Sequence, residues 1–110
     1  NSMSPGAGPA GSVSIGIVVP VYSGAAHLEA LVDRVAAVRD QLEQARSMVR
    51  LEELIFVDDG AIDASPALID QLAARHPWIV ALHMSRNYGQ HAATVAGVMH
   101  SSADWIVTMD

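Results

Sequence analysis

The sequence predicts an open α/β sheet of parallel strands, ordered β-α-β-α-β-α-β and Rossmann-like in its first half. Three observations carry this. Leu54-Ile55-Phe56-Val57 is a short apolar run without alternation, as a strand buried on both faces requires. Similar runs alternate with stretches whose apolar residues recur at steps of three and four, the signature of crossover helices. Polar residues follow each run, most visibly Asp58-Asp59-Gly60, and in a parallel sheet all of them reach the carboxyl edge, where open α/β sheets bind ligands.

Residues 1–12 are mainly Ser, Pro, Gly and Ala, with no period, and read as a disordered tail ahead of a single domain over residues 13–110. The first strand is Val13 to Val21. Pro20, which cannot donate to a ladder, belongs at its end. Ser23 and Gly24 mark a turn, with Ser23 as a cap for the following helix. From Ala25 to Ala45 the stripe is Leu28, Leu31, Val32, Val35, Val38 and Leu42. Ser47 to Glu53 reads as a polar link into the Leu54–Val57 strand. Asp63, Ser65 and Pro66 open a second helix whose stripe is Leu68, Ile69, Leu72 and Ala73, and His76-Pro77 ends it. Trp78 to Met84 is a third strand. A third helix runs from Gln90 to about Ser101, with a stripe of Ala92, Val95, Ala96 and Met99. Gly97 inside it costs about 1 kcal/mol against Ala, so close packing is expected there. Trp105 to Met109 is a fourth strand, followed by Asp110.

Composition removes several functional classes. The formal net charge is −6, and the six basic residues are all arginine. A nucleic-acid face or a polybasic membrane anchor needs clustered positive charge, so neither is expected. With no cysteine there is no disulfide, thiol nucleophile or zinc-thiolate site. No apolar run approaches the roughly 20 residues of a membrane span, and no secretory pattern is visible, which predicts a cytoplasmic location. The turn after the first strand carries a single glycine, Gly24, where a dinucleotide fingerprint needs three, and without lysine there is no P-loop.

The strand ends supply the candidate site: Tyr22-Ser23, Asp58-Asp59, Ser85-Arg86-Asn87 and Asp110. Adjacent carboxylates after a buried strand are costly unless a cation or ligand donors offset them, although turn formation or helix capping would also use them. Of the five histidines, His27, His76, His83 and His100 have no partner at metal-ligand spacing; His91 sits beside Gln90 at the start of the third helix.

Four segments in order carry a resemblance. They are Ile17-Val18-Val19-Pro20-Val21-Tyr22, then Val57-Asp58-Asp59-Gly60 with Asp63-Ala64-Ser65, then Ser85-Arg86-Asn87-Tyr88-Gly89-Gln90 with Ala96-Gly97, then Asp104 to Asp110. Together they resemble the first half of a family 2 glycosyltransferase of GT-A fold, closest to the polyprenyl-phosphate branch that includes the dolichol-phosphate mannosyltransferases. The resemblance implies the nucleotide-sugar-binding half of an inverting, metal-dependent enzyme. Such an enzyme moves a hexose from a nucleoside diphosphate sugar to an acceptor, here a polyprenyl phosphate, at the cytoplasmic face of the membrane.

By position, Tyr22 would lie along the base, Asp58 would accept a base N–H, Asp59 and Gly60 would line the same pocket, and Pro20 would belong to the nucleotide-sugar site. Asn87, Gly89 and Gln90 would border ribose and base. Asp110 matches the first carboxylate of the family's D-x-D motif, on ribose and on Mg²⁺ or Mn²⁺. The chain departs from the family at Ser23-Gly24, where Asn-Glu is usual, and at Ala61-Ile62, where Ser-Thr or Ser-Pro is usual. No catalytic residue is assigned within these residues, so the 110-residue chain is expected to be inactive alone. It is also expected to form a homodimer through an exposed sheet edge or apolar patch. Two other readings share the same residues. One is a phospho-acceptor receiver domain with Asp110 as acceptor; the other is a non-catalytic relative used for assembly.

Overall fold

The computed structural model describes residues 11–84 and 90–109, with the Gln90 side chain excepted. The order is β1 (Val13–Val21), α1 (Ala25–Gln44), β2 (Val49–Asp58), α2 (Ser65–Arg75), β3 (Ile79–His83), α3 (Gln90–His100) and β4 (Trp105–Thr108). The four strands form one sheet in the order β3-β2-β1-β4, and every pairing is parallel. This is the predicted element order.

β1, β2 and β3 step outward in one direction, whereas β4 returns to the far side of β1. Parallel crossovers are almost always right-handed, so a reversal of direction moves the connecting helix to the opposite face. The packing follows. α1 and α2 contribute Leu28, Val32, Val35, Ile69 and Leu72 to one core with Ile17, Val19, Val21, Leu51, Leu54, Phe56 and Ile79. α3 contributes Ala93 to a second core with Val18, Ile55 and Val57. Leu54 to Val57 are fully buried because both faces of β2 are covered, which is why that run shows no alternation.

Several expectations need correction. β2 begins at Val49, so the polar link is in fact the first half of a strand. Its charges sit at the sheet's amino edge and are partnered there: Arg50 pairs with Glu52 at 2.9 Å, although its buried Nε has no acceptor among the described residues, and Glu53 accepts from Ser101 Oγ at 2.6 Å. A register shift at Ile15/Gly16 accommodates the extra acidic residue, with Leu51 opposite Ile15 and Glu53 opposite Gly16. On α1, Val38 is 44% exposed and falls outside the stripe.

On α3 the buried side is Ala93 and Gly97, whereas Val95 and Met99 are exposed. The helix turns its small residues inward because it lies directly on the sheet. A Cβ at Gly97 would collide with Val18 and would stand 3.2 Å from Val57 Cγ2. The expected close packing at Gly97 is therefore present. Pro20 stands within β1 opposite Val57, beyond the last rung to β4, which ends at Val18 and Thr108. Its missing N–H leaves no ladder position empty on that side.

Candidate functional site

The parallel register places Val21, Asp58 and His83 side by side in one row at the carboxyl edge. The turns after β1 and β2 leave from this row, and both depend on glycine. Gly24 has φ 89° and Gly60 has φ 86°, left-handed values that a side chain adopts only with strain.

Asp58 is 7% exposed and its carboxylate is well occupied. Oδ1 accepts the backbone N–H groups of Gly60 at 3.0 Å and Ala61 at 2.8 Å, which folds the turn back onto the strand end. Oδ2 lies 2.8 Å from His83 Nδ1. The other ring nitrogen, Nε2, lies 2.7 Å from Asp70 Oδ1 on α2. Neutral imidazole has one N–H, so two carboxylate contacts at these distances favour the doubly protonated ring. The His83 pKa is raised, first by the hydrogen bond to Asp58, then by that to Asp70, with burial acting against both. For Asp58, the offset that a buried carboxylate demands is therefore supplied within the chain, by His83 and two amides.

His83 is a functional candidate that spacing along the chain does not reveal. It lies 25 residues from Asp58. Only the register of β2 against β3 brings the two together, and the signal available in the sequence was its place as the last residue of an apolar run.

Asp59 is fully buried, and its amide donates to Val21 O at 3.2 Å. Tyr22 is 37% exposed at the same edge. Asp63 ties the two turns together. Its Oδ2 accepts from Gly24 N at 3.1 Å and Ala25 N at 3.4 Å, while Oδ1 accepts from Ser65 N at 2.9 Å. The cap of α1 is thus Asp63, acting from the next loop, and not Ser23; Gly24 occupies the N-cap position without a side-chain cap. Hydrogen bonding from Ser65 is the main reason the Asp63 pKa is lowered, and the α1 amides add to it.

A groove of about 370 Å³ opens at the topological switch point, lined by Pro20, Ser23, His27, Leu31, Arg34 and Met109 among others. It lies between the ends of β1 and β4 on the α1 side, and Tyr22, Asp58, Asp59 and Gly60 are not part of its lining. Of the sequence-assigned residues, the structure gathers Tyr22, Asp58, Asp59 and Gly60 at the ends of β1 and β2, and puts Pro20 in the groove. Asn87, Gly89, the Gln90 side chain and Asp110 lie outside the described residues. Among the described residues no cluster of three His, Asp or Glu side chains could hold a metal ion. No described helix is long and apolar enough to cross a membrane.

The receiver reading fails on topology. It needs the strand before Asp110 beside the strand before Asp58, whereas β4 pairs with β1 and β2 lies between β1 and β3.

Comparison with known proteins agrees with this topology. The family model described as Glycosyl transferase family 2 matches residues 16–110. The undecaprenyl-phosphate 4-deoxy-4-formamido-L-arabinose transferase of Aeromonas hydrophila is 41% identical over 97 residues, which is 87% of this chain and 28% of that protein. The enzyme of the same name from Yersinia pestis is 43% identical over 98 residues, with the same shares covered. The chain therefore spans a little over a quarter of the length of these curated relatives. Among solved structures, the mannosyltransferase PcManGT from Pyrobaculum calidifontis, in complex with GDP-Man and Mn²⁺, superposes with a TM-score of 0.69 at 19% identity. That match covers 90% of this chain and 27% of the other. It shows the fold, a GT-A arrangement of the sheet.

Proposed function

The chain belongs to glycosyl transferase family 2, and from that premise we propose that its carboxyl edge is the donor-nucleotide half of a sugar transferase with a polyprenyl-phosphate acceptor. The observation that carries the proposal is the single row of Val21, Asp58 and His83, which delivers the turns after β1 and β2 to one edge of a parallel sheet. Ligand sites of open α/β sheets form at such an edge. The named relatives support a lipid-linked acceptor, since both are undecaprenyl-phosphate transferases. They also widen the choice of sugar, because L-arabinose is a pentose, whereas the solved neighbour holds the hexose donor GDP-Man.

In this reading Tyr22 lies along the base, and Asp58 accepts a base N–H through the remaining acceptor capacity of Oδ2. Gly60 allows the ligand to approach the backbone. Asn87, Gly89 and Gln90 border the ribose, and Asp110 is this chain's contribution to a divalent cation. The solved neighbour's Mn²⁺ supports a cation in the fold. Such an ion offsets charge on a departing diphosphate. The reaction is an inverting displacement. The acceptor oxygen bonds to the anomeric carbon as the bond from that carbon to the diphosphate breaks, and the diphosphate keeps the electron pair. A phosphate-monoester acceptor is already ionised near neutral pH, so its oxygen needs no base to remove a proton. The 110-residue chain would bind donor without turning it over. It would also self-associate through the outer edge of β4.

The test is a titration of the chain with UDP, GDP and dTDP, with and without Mn²⁺, followed by amide NMR. One nucleotide should bind, moving the resonances of Tyr22, Asp58 and Asn87, and Asp110→Asn should remove the Mn²⁺ dependence. Failure of every nucleotide to bind, both here and in a longer protein containing this chain, would overturn the reading.

A further inference from the structure

His83 stands between two carboxylates on two different elements, Asp58 at the end of β2 and Asp70 on α2. Asp58 is the residue to which the donor site assigns base recognition. Its Oδ1 is committed to the turn through two amides, so the orientation of Oδ2 is set by whatever holds it. Here that is His83 Nδ1. The ring is in turn held from the other side by Asp70, an exposed residue of α2. β3 alternates its side chains between the two cores, and His83 falls on the side of Ile79 and Ala81, towards α2. The charged groups acting on it among the described residues are Asp58 from β2 and Asp70 from α2. The other ionisable residue of α2, Arg75, pairs with Glu29 of α1.

We propose that His83 is a positioning residue of the donor site: its imidazolium, held between Asp58 and Asp70, aims Asp58 Oδ2 at the nucleotide and offsets the carboxylate charge there. This rests on the donor-site reading. Loss of the proton leaves two acceptors and one N–H, so one of the two bridges must break. If the Asp58 bridge breaks, Oδ2 is released to turn. In either case the site gains negative charge where an anionic diphosphate ligand must approach.

The sign follows. The protonated ring is the form favoured by the fold. The bridge is therefore complete at low pH and is lost as pH rises through the raised pKa. Nucleotide affinity should fall over the same interval.

The experiment has two arms on the whole chain. In the first, the His83 ring nitrogens are titrated by ¹⁵N NMR without ligand, in the wild type and in Asp70→Asn. The wild-type ring should stay doubly protonated above the ordinary histidine range, and Asp70→Asn should bring its midpoint down. A neutral ring at neutral pH in the wild type would overturn the proposal. In the second, affinity for UDP, GDP and dTDP is measured with Mg²⁺ from about pH 6 to about pH 8.5, an interval that brackets histidine titration. Wild-type affinity should weaken by up to about tenfold, the scale of one charge-assisted hydrogen bond at a partly exposed site.

His83→Gln retains an N–H donor but does not titrate. Its profile should show only the nucleotide's own ionisation. A purely structural histidine would shift affinity equally at every pH, and parallel wild-type and His83→Gln profiles would overturn the proposal while leaving the donor site standing. If no nucleotide binds at any pH, either to this chain or to a longer protein containing it, the donor-site reading falls and takes the positioning role with it, whereas the first arm still decides the protonation state.

Discussion

On the side of the sheet covered by α1 and α2, twelve of the described residues are buried in one apolar cluster, whereas on the α3 side the corresponding cluster has four. The first side is sealed by branched and aromatic side chains, Phe56 among them. The second is sealed by proximity: Ala93 and Gly97 let α3 settle onto Val18 and Val57. Beyond that contact the outer face of α3 is open to solvent, with Val95 54% and Met99 81% exposed, and β4 lies uncovered at the sheet's edge, with Trp105 68% and Val107 47% exposed on the α1 side in the rows of Ile15 and Ile17. The two sides thus obtain stability differently, one from volume and the other from fit. The candidate site lies on the sealed side of the carboxyl edge, where the Asp58–His83–Asp70 bridge ties β2 and β3 to α2. Rigidity on that side holds the site together.

The sharpest way to break the comparison is to remove volume from the sealed side. Phe56 is fully buried in the middle of β2. Phe56→Ala should cost about 3–5 kcal/mol, through lost burial and an unfilled cavity. Urea unfolding followed by circular dichroism would measure it, and a loss under about 1 kcal/mol would mean that this side relaxes as readily as the other.

A smaller effect tests fit on the α3 side. Gly97→Ala adds one methyl group. In an exposed helix that change stabilises by about 1 kcal/mol. Here the methyl meets Val18 and Val57, and overpacking of a dense contact costs about 1–3 kcal/mol. The expected outcome is a net loss of about 1 kcal/mol or more by the same unfolding assay. A neutral or stabilising Gly97→Ala would show that α3 can back away from the sheet, and the two sides would then differ in tightness rather than in kind.

The difference between the sides also explains what could be read from the sequence. Strands and helices on the sealed side were legible because large apolar residues carry a period: Leu28, Val32 and Val35 on α1, Ile69 and Leu72 on α2. The buried side of α3 was misread because hydrophobicity ranks Val95 and Met99 above Ala93 and Gly97, whereas a helix lying directly on a sheet must turn its smallest residues inward. The first half of β2 was missed because Arg50, Glu52 and Glu53 break the apolar pattern, and the serines that bond the two glutamates, Ser101 and Ser102, are some fifty positions away. The same limit hid the bridge. Asp58 was visible as the end of a buried strand, but its pairing with His83 is fixed by strand order and register, which no local pattern encodes. Asp63 capping α1 from the following loop is another contact of this kind.

The smallest expected effect on stability comes from the uncovered β4 edge, and there the comparison is read by mass rather than by unfolding. Trp105 projects from β4, the edge strand, at 68% exposure. Its replacement removes little buried area within the chain, so Trp105→Asp should change unfolding free energy by no more than about 0.5 kcal/mol. An exposed apolar residue on an unpaired edge nevertheless favours edge-to-edge pairing, which a charge on that strand opposes. Self-association of the chain through β4 should therefore appear as a dimer mass by light scattering at tens of micromolar, and Trp105→Asp should return it to the monomer. A monomeric wild type would remove the dimer and leave the β4 edge simply exposed. A dimer indifferent to Trp105→Asp would move the contact to the other unpaired edge, β3, and thus beside His83 and the candidate site.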